Sequence, residues 1–263
     1  MEDQYDLVID AGNTRTKFGW FNGGRLVRWT SVDVLDAEAV NGQLNVLRPK
    51  CAVIGSGRAA VSILKALEGK TEIFRITGTT PVPIRNSYST PATLGVDRLA
   101  NAVAAAKIFP ARPVLVIDAG TCITYDLIEA DGTFIGGAIS PGKKLRALAM
   151  HRSNAALPLV EDLDSPQLVG RSTMDSLASG VHHGMIAEMQ GMIAQFRHER
   201  AELAVMLTGG DALGSCRALK SGIFAHPILT LVGLHAILVH NRDAHGFDGH
   251  SDHHRGKGTR PAG

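Results

Sequence analysis

The sequence has little net charge and no long apolar run. Its 263 residues carry 27 Lys and Arg against 25 Asp and Glu, a formal net charge of +2. A charge this small argues against nucleic acid or a membrane surface as the partner. No apolar run reaches the length needed to cross a bilayer. We therefore expect no nucleic-acid and no membrane partner.

Cysteine is also scarce. The three cysteines, Cys51, Cys122 and Cys216, are too widely spaced to predict a disulfide framework, and such a set fits a reducing cytosol. The sequence has no Cys-x-x-Cys pair or Cys/His cluster that would suggest zinc. The N-terminus starts with polar residues, unlike a signal peptide. The expected location is cytoplasmic.

A short apolar run that ends in Asp-Ala-Gly occurs twice. Residues 7–12 and 115–120 both read Leu-Val-Ile-Asp-Ala-Gly. Such a run predicts a buried strand that breaks into a tight turn. Gly lets the backbone approach a ligand closely, and nearby hydroxyl and N–H groups can bind phosphate oxygens. Two such turns predict two related half-domains facing each other across a phosphate-binding cleft.

The first turn is the candidate phosphate loop. Its N–H groups and the Thr14 hydroxyl would face the phosphates, and Lys17 would add a positive charge. Asp10 would hold Mg²⁺ through water, because magnesium sheds its hydration reluctantly. An ordinary β-turn also uses Asp and Gly, but the repeat at Asp118 favours the functional interpretation.

A second candidate segment, Gly95-Val96-Asp97-Arg98, opens a predicted helix. A helix N-terminus offers unpaired N–H groups to an anion, and Arg98 can donate two hydrogen bonds to a carboxylate. Asp97 is a candidate general base toward a substrate hydroxyl. Asp in a first helical turn also stabilises the helix dipole, and residue types alone favour that simpler interpretation.

Three other glycine-containing segments match ligand motifs only in part. Residues 69–71 read Gly-Lys-Thr but lack the earlier Gly and the strand–loop–helix order of a Walker A loop, so they predict a helix C-cap. Residues 55–60 match Gly-x-Gly-x-x-Ala, yet no acidic residue ends the next strand, as a dinucleotide site requires. Residues 208–211 fit either an adenosine contact or a plain strand-to-helix turn.

Together these motifs resemble the type III pantothenate kinases, members of the superfamily of acetate and sugar kinases, heat-shock chaperones and actin. The match runs in order from Asp10 to about His240. No single segment is specific, but the combination is. The matching segments are DAGNTRTK (10–17), NSYSTPATLGVDR (86–98), VIDAGTCIT (116–124), GGAISPG (136–142), STMDSLASG (172–180) and LTGGDA (207–212).

The resemblance implies an α/β fold of two related ribonuclease-H-like half-domains, the actin-like ATPase fold, facing a central cleft. It implies ATP-dependent phosphorylation of pantothenate to 4'-phosphopantothenate, the first step of coenzyme A biosynthesis. The implied cofactors are Mg²⁺ with ATP and a monovalent cation, K⁺ or NH₄⁺. The implied assembly is a homodimer whose substrate pocket is completed at the subunit interface.

The resemblance also implies roles for individual residues. Asp97 becomes the base that takes the proton of the pantothenate hydroxyl, and Asp118 the ligand of the monovalent cation. The implied ATP contacts are Asp10, Ala11, Gly12, Asn13, Thr14, Arg15, Thr16, Lys17 and Thr121. The implied substrate contacts are Tyr88, Gly95, Val96, Asp97, Arg98 and Thr173.

The sequence departs from the family at two places. Residues 118–122 read Asp-Ala-Gly-Thr-Cys where many members have Asp-Phe-Gly-Thr-Ala, and Lys17 stands where an apolar residue is common.

The expected division is an N-terminal half-domain of residues 1–113, a C-terminal half-domain of residues 114–240 and a disordered His-rich tail of residues 241–263. The tail has too few apolar residues to offset its ordering entropy.

Three alternative functions remain open from the sequence. The first is a regulatory accessory factor of the same family with little kinase activity, against which the retained Asp97, Arg98, Tyr88 and Asp118 argue. The second is a sugar kinase of the same superfamily, which has no obvious need for residues 86–98. The third is a dinucleotide-binding enzyme, which lacks its acidic residue here.

Overall fold

The computed structural model describes residues 5–12, 14–33, 37–46, 49–55, 60–219 and 222–245. The strands are β1 (Tyr5–Ala11), β2 (Thr16–Asn22), β3 (Arg25–Val32), β4 (Pro49–Gly55), β5 (Glu72–Ile76), β6 (Arg85–Asn86), β7 (Val114–Ala119), β8 (Cys122–Ile128), β9 (Thr133–Pro141), β10 (Ala204–Thr208) and β11 (Ile223–Ala225). The helices are α1 (Ala37–Val46), α2 (Ala60–Leu67), α3 (Val96–Ile108), α4 (Lys143–Ser153), α5 (Thr173–Glu199), α6 (Ala212–Ala218) and α7 (Leu229–His245), with a 3₁₀ turn at Pro91–Thr93.

The described strands form two sheets, and the second sheet repeats the strand arrangement of the first. The first sheet has the order β3-β2-β1-β4-β5, in which β1, β2 and β3 are antiparallel and β4 and β5 run parallel to β1. The second sheet has the order β11-β10-β7-β8-β9-β6, so its β9-β8-β7-β10-β11 part repeats the same arrangement. This repetition confirms the prediction of two related half-domains.

Two helices lie between the sheets. Val8 and Val53 of the first sheet pack against Leu234 and Leu238 of α7, and the inner face of the second sheet packs against α3 around Leu99. The outer face of the first sheet is covered by α1 and α2, and that of the second by α5 and α6. The molecule is therefore layered as helices, sheet, helices, sheet, helices.

Helix α3 packs on several sides because its side chains are small. Alanine favours the helix and adds little bulk, and nine of its thirteen residues are buried. The crossing with α7 is close at Gly233, where an added Cβ would lie 1.8 Å from the carbonyl oxygen of Ala100. The N-terminal end of α3, which carries Asp97, is thereby fixed between the two sheets.

Two elements cross the expected boundary at residue 113. Strand β6 pairs with β9 of the second sheet, although it precedes that boundary. Helix α7 is the last helix described, and it packs on β1, β2 and β4 of the first sheet. The expected division of the chain into half-domains of residues 1–113 and 114–240 therefore stays a prediction.

The expected start of the tail at residue 241 was wrong. Helix α7 continues to His245, because its last turn has partners. Buried Asn241 donates to the carbonyl oxygens of Pro81 and Ile237 at 2.9 and 2.8 Å, and Arg242 pairs with Asp6 at 2.7 Å. Residues 246–263 of the predicted tail lie outside the described residues.

The predicted C-cap at residues 69–71 is confirmed. Helix α2 ends at Leu67, Gly69 follows with φ of +70°, and the Lys70 amide donates to the Leu67 carbonyl at 3.0 Å. A left-handed Gly after the last turn is the usual way to end a helix. Of the glycine pattern at residues 55–60, residues 56–59 lie outside the described ranges.

Candidate active site

The two Asp-Ala-Gly turns meet each other. Thr14 and Thr121 follow the two turns, and their Oγ1 atoms lie 3.3 Å apart. Each turn is closed by its own glycine: the Gly12 amide donates to the Arg15 carbonyl at 3.1 Å, and the Gly120 amide to the Cys122 carbonyl at 3.0 Å. Those two amides are thus used within the turns, and the hydroxyls are the groups that the turns present to each other.

Two further glycines pack directly on the second turn. A Cβ at Gly142 would lie 2.2 Å from the Gly120 carbonyl oxygen. Gly209 has φ of +98°, and a Cβ there would lie 2.4 Å from the Ala119 carbonyl oxygen and 2.5 Å from Oδ1 of Asp118. Only glycine tolerates both the conformation and the approach. The segments 136–142 and 207–212 therefore converge on the second turn.

Three carboxylates share this end of the molecule. Burial raises the pKa of Asp10 to about 6; the charge of Lys17 lowers this pKa, and the charge of Asp97 raises it further. Burial also raises the pKa of Asp118 to about 7, and the negative charges of Asp97 and Asp10 raise it to a smaller extent. Asp97 itself is exposed in the first turn of α3. Three carboxyl groups that interact in this way favour a cation or a proton between them.

Lys17 is the positive group of this cluster. Its Nζ donates to the Pro227 carbonyl at 3.0 Å, which links β2 to the loop before α7. Its charge lowers the pKa values of both Asp10 and Asp118 against the effect of burial. Because an ammonium group has three donors, this one bond leaves Lys17 able to contact a phosphate.

The other residues of the predicted ATP loop have different surroundings. Ala11 ends β1, and Thr16 is buried at the start of β2. The Nε of Arg15 pairs with Asp33 at 2.7 Å, and both side chains are exposed. Asn13 lies outside the described residues.

Arg98 is buried and bound to a carboxylate of the protein. Its Nε and Nη2 donate to Oδ1 of Asp126 at 2.9 and 2.6 Å. The guanidinium carbon lies 5.4 Å from the centroid of the Tyr88 ring, and Nη1 lies 3.5 Å from the Tyr88 hydroxyl. Arg98 therefore connects β8 to Tyr88, a predicted substrate residue.

Tyr88 is held by its neighbours on three sides. Its amide donates to Oδ1 of Asn86 at 3.0 Å, and its ring stacks on Phe134 with centroids 6.0 Å apart. Gly136 passes under the ring, since a Cβ there would lie 3.1 Å from Cδ2 of Tyr88. The predicted substrate residues Tyr88, Asp97 and Arg98 are thus neighbours through direct contacts and through α3.

Thr173 stands apart from that group. It is exposed at the first position of α5, which Ser172 caps by accepting the Asp175 amide at 3.1 Å. Among the described residues, no hydrogen bond links Thr173 to Tyr88, Asp97 or Arg98. Leu168, Val169 and Met174 beside it are exposed by 71%, 75% and 43%, so this corner of the molecule is apolar as well as exposed.

Sequence reasoning missed Asn101, Thr230 and Asp126. The Nδ2 of Asn101 donates to Oδ2 of Asp118 at 3.1 Å, and Oδ1 of Asn101 accepts from the Thr230 hydroxyl at 3.0 Å. A partial signal existed, since Asn101 follows Asp97 by one helical turn and thus shares its face of α3. Thr230 and Asp126 come from distant segments, and nothing in the motifs marks them.

Beside the second turn lies a cavity of about 210 Å³, lined by Lys143, Asp164, His182, Gly210 and Asp211. Lys143 is 5% exposed, and its Nζ lies 3.2 Å from Oδ1 of Asp164. Gly210 and Asp211 belong to the turn at residues 208–211 that fits an adenosine contact. A groove of about 630 Å³ lies elsewhere, along the far ends of α3 and α7, and none of the three carboxylates lines it.

The oxygen atoms around Asp118 suit a cation that binds oxygen ligands. Thr208 is the cross-strand neighbour of Asp118 on β10 and is fully buried. Its Oγ1 has no hydrogen-bond partner among the described residues. Within the described ranges, no group of three or more His, Cys, Asp or Glu is arranged to hold a metal. A cation here would therefore combine one carboxylate with hydroxyl, carbonyl or phosphate oxygens.

None of the helices in the described ranges combines the length and the apolar character that a bilayer crossing requires.

The chain is similar to one enzyme family over most of its length. Residues 6–195 match the profile of the type III pantothenate kinases. The chain is 39% identical over 245 residues to the type III pantothenate kinase of Phocaeicola vulgatus, covering 90% of this chain and 98% of that protein. It is 40% identical over 240 residues to that of Bacteroides fragilis, covering 90% and 98%.

Two solved structures share the fold. A protein from Campylobacter jejuni described as a Baf family transcriptional activator superposes with a TM-score of 0.57 at 20% identity, covering 90% of this chain and 99% of that one. The ethanolamine utilization protein EutJ from Carboxydothermus hydrogenoformans superposes with a TM-score of 0.51 at 17% identity, covering 90% and 91%. At these identities the likeness shows the fold alone.

Proposed function

This chain belongs to the type III pantothenate kinase family, and we propose that the cleft between its two Asp-Ala-Gly turns is where it phosphorylates pantothenate. The reaction is the ATP-dependent conversion of pantothenate to 4'-phosphopantothenate, the first step of coenzyme A biosynthesis. The observation that carries the assignment of the site is the meeting of Asp10, Asp97 and Asp118 at the contact between Thr14 and Thr121. No observation favours the regulatory, sugar-kinase or dinucleotide alternatives.

Asp97 is the proposed general base. It is exposed at the N-terminus of α3, and its charge acts on both Asp10 and Asp118. In the proposed step the pantothenate hydroxyl oxygen attacks the γ-phosphorus of ATP, and the bond from that phosphorus to the β–γ bridging oxygen breaks. Asp97 takes the hydroxyl proton, and ADP leaves. Phosphoryl transfer depends mainly on such positioning and charge stabilisation.

The two turns are the proposed ATP site, with Asp10 to Lys17 on one side and Thr121 on the other. The hydroxyls of Thr14 and Thr121 are in contact with each other, and phosphate oxygens that replace this contact would accept from both. Lys17 adds a positive charge beside the two carboxylates. Mg²⁺ bound with ATP would lower the negative charge on the phosphates, with Asp10 placed to hold its water shell.

Asp118 is the proposed ligand of the monovalent cation, K⁺ or NH₄⁺. Its environment differs from that of Asp10 despite the identical sequence, because Asn101, Thr208 and Gly209 surround it. The unpartnered hydroxyl of buried Thr208 adds a second oxygen donor. A cation there would reduce the repulsion between the carboxylates and the phosphates of ATP.

The proposed pantothenate site is formed by Gly95, Val96, Asp97 and Arg98 together with Tyr88. Asp126 holds Arg98, and Arg98 in turn stacks on Tyr88. Gly95 caps α3 and Val96 is buried in the core, so both would act by fixing the helix start that presents Asp97. The proposed pocket therefore lies between the second sheet and the N-terminus of α3.

We also propose that the protein is a homodimer, in which the partner completes this pocket. The proposed location is the cytoplasm. The exposed apolar side chains of Leu168, Val169 and Met174 next to Thr173 support the dimer, since exposed apolar patches mark interaction surfaces. Because no hydrogen bond links Thr173 to the other proposed substrate residues within the described part of its own chain, its proposed substrate contact would be made in the pocket of the partner. The three free cysteines fit a reducing compartment.

The test is ADP release by the purified full chain with ATP and Mg²⁺, with and without pantothenate. We expect release that depends on pantothenate and a phosphorylated product detected by mass spectrometry. A panel of hexoses in place of pantothenate should give no release above background. Equal ATP hydrolysis with and without pantothenate would contradict the assignment.

A further inference from the structure

A buried chain of hydrogen bonds connects α7, α3 and β7 behind the cleft. The Thr230 hydroxyl donates to Oδ1 of Asn101 at 3.0 Å, and Nδ2 of Asn101 donates to Oδ2 of Asp118 at 3.1 Å. Asn101 is 0% exposed and Thr230 is 3% exposed. A polar chain in such a place is costly unless every member is bonded, so its presence needs a physical reason.

We propose that Asn101 and Thr230 are positioning residues that hold Asp118 in the orientation needed to bind the monovalent cation. This inference rests on the proposed role of Asp118 as the cation ligand. Asn101 contacts Asp118 directly, whereas Thr230 acts on it through Asn101.

The hydroxyl of Thr230 supports the orientation of the Asn101 amide that Asp118 requires. An Asn side chain has a carbonyl oxygen on one side and an NH₂ group on the other. Because an ionised carboxylate only accepts hydrogen bonds, the NH₂ group must face Asp118, and the Thr230 hydroxyl then donates to the carbonyl oxygen on the other side. The reverse orientation would place two oxygens together at the carboxylate. Thr230 therefore holds the Asn101 amide from the side opposite Asp118.

The bond to Asn101 leaves one carboxylate oxygen for the cation. Oδ2 of Asp118 is taken by Asn101, while Oδ1 lies against the backbone of Gly209, where an added Cβ would be 2.5 Å away. The buried and unpartnered Oγ1 of Thr208 is on the neighbouring strand. Partners of metal ligands commonly fix the ligand's orientation in this way.

The same helix also carries the proposed base. Asp97 and Asn101 are four residues apart on α3, so they share one face of the helix. The Asn101 bond therefore ties the cation-binding carboxylate of β7 to the helix that carries the base. A loss of the Asn101 bond should disturb the cation site and leave the pantothenate contacts at Tyr88 and Arg98 in place.

The experiment compares Thr230→Val with Thr230→Ser in the full chain. Valine has nearly the shape of threonine but no hydroxyl, and serine keeps the hydroxyl. Each variant is titrated with KCl, with choline chloride keeping the ionic strength constant. Two readouts are taken: the rise in unfolding temperature with K⁺ in the presence of Mg²⁺ and ADP, and the turnover of pantothenate. The first reports binding without catalysis.

We expect Thr230→Val to need about tenfold more K⁺ for half of the effect in both readouts, the lower end of the loss seen for such partners. The KM for pantothenate should not change, and turnover at saturating K⁺ should approach that of the native chain. Thr230→Ser should behave as the native chain does. A protein that is merely less stable would unfold earlier at every K⁺ concentration without a change in the half-saturation point.

Two results would overturn the proposal, and they are distinguishable. If the native chain responds to K⁺ and Thr230→Val has the same half-saturation point, the positioning role is wrong and the cation role of Asp118 stands. If the native chain does not respond to K⁺ in either readout, both roles are wrong. Pantothenate-dependent turnover in that second case would still support the kinase assignment.

Discussion

Thr14 and Thr121 lie 107 positions apart in the chain, yet their hydroxyl oxygens are 3.3 Å apart. Each threonine follows one copy of the repeated Asp-Ala-Gly turn, so this contact is where the two halves of the molecule meet at the site. Phosphates that enter between the turns would replace one hydroxyl–hydroxyl contact with two hydrogen bonds to charged oxygens, which are stronger. The following predictions concern the residues around this contact.

Replacement of Asp97 by Asn should nearly abolish phosphoryl transfer. The amide cannot accept the hydroxyl proton, and loss of a general base costs about a hundredfold to ten-thousandfold in rate. Asp97 is exposed, so the fold should survive, as circular dichroism and unfolding temperature can verify. Near-normal turnover of a folded Asp97→Asn protein would remove Asp97 from the catalytic role.

Replacement of Na⁺ by K⁺ in the buffer should raise the activity of the native chain and have little effect on Asp118→Asn. The variant keeps the shape of the side chain but loses the charge that holds the cation. Asp10→Asn is the matched comparison, because it alters the other copy of the turn; it should weaken Mg²⁺–ATP binding and keep the K⁺ response. Equal activity of the native chain in both salts would leave Asp118 as a turn residue.

The unfolding temperature of the ligand-free protein should fall as the pH rises from 5 to 8. The pKa values of Asp10 and Asp118 are raised to about 6 and about 7 in the folded protein. The stability due to their neutral forms is therefore fully present below the unfolded pKa of about 3.9 and is lost as the pH passes through 6 and 7. Calorimetry should find a smaller fall for Asp118→Asn, and an equal fall would contradict the raised pKa.

Turnover should rise over the same interval of pH. Mg²⁺ and K⁺ need ionised carboxylates, so protonation of Asp10 and Asp118 competes with both cations. The pH at half-maximal kcat/KM for ATP should therefore lie near 6 to 7 and move lower as K⁺ is increased. A pH profile that does not depend on K⁺ would mean that the group titrating in the profile does not bind the cation.

Gly233→Ala should destabilise the protein, whereas Gly184→Ala should not. A Cβ at Gly233 would lie 1.8 Å from the Ala100 carbonyl oxygen, while one at Gly184 meets nothing within 4 Å. Overpacking costs about 1–3 kcal/mol, and Gly to Ala in an open helical position gains up to about 1 kcal/mol. Urea unfolding of both variants measures the difference, and equal midpoints would mean that α3 and α7 can separate at little cost.

The repeated turn predicted more of the fold than any other feature. Each copy of Leu-Val-Ile-Asp-Ala-Gly is a central strand, β1 or β7, and the antiparallel strands that follow build the same sheet twice. The repetition was readable because strand, turn and hairpin are local structures. The family follows from the wider set of motifs, and the profile match over residues 6–195 supports it.

The partners of the site residues were not predictable in the same way. Arg98 was expected to bind a substrate carboxylate, but its Nε and Nη2 bind Asp126 of β8. Asn101 looks like one polar residue in an alanine-rich helix until Asp118 and Thr230 are brought against it. Such contacts depend on how helices and sheets stack, and one sequence without its relatives carries little of that information. Short elements such as β6 and β11 escaped for a similar reason, since they exist only by pairing with longer strands.

The position of α7 has a consequence for how the chain is made. The inner face of the first sheet, around Val8 and Val53, is covered by Leu234 and Leu238, which lie near the far end of the described chain. A ribosome therefore releases strands β1 to β5 long before the helix that covers them exists. The nascent first sheet must keep an apolar face exposed during most of synthesis, which is the situation in which chains aggregate or bind chaperones. Slow translation of the second half should lower the soluble yield, and α7 supplied as a separate peptide should restore part of it.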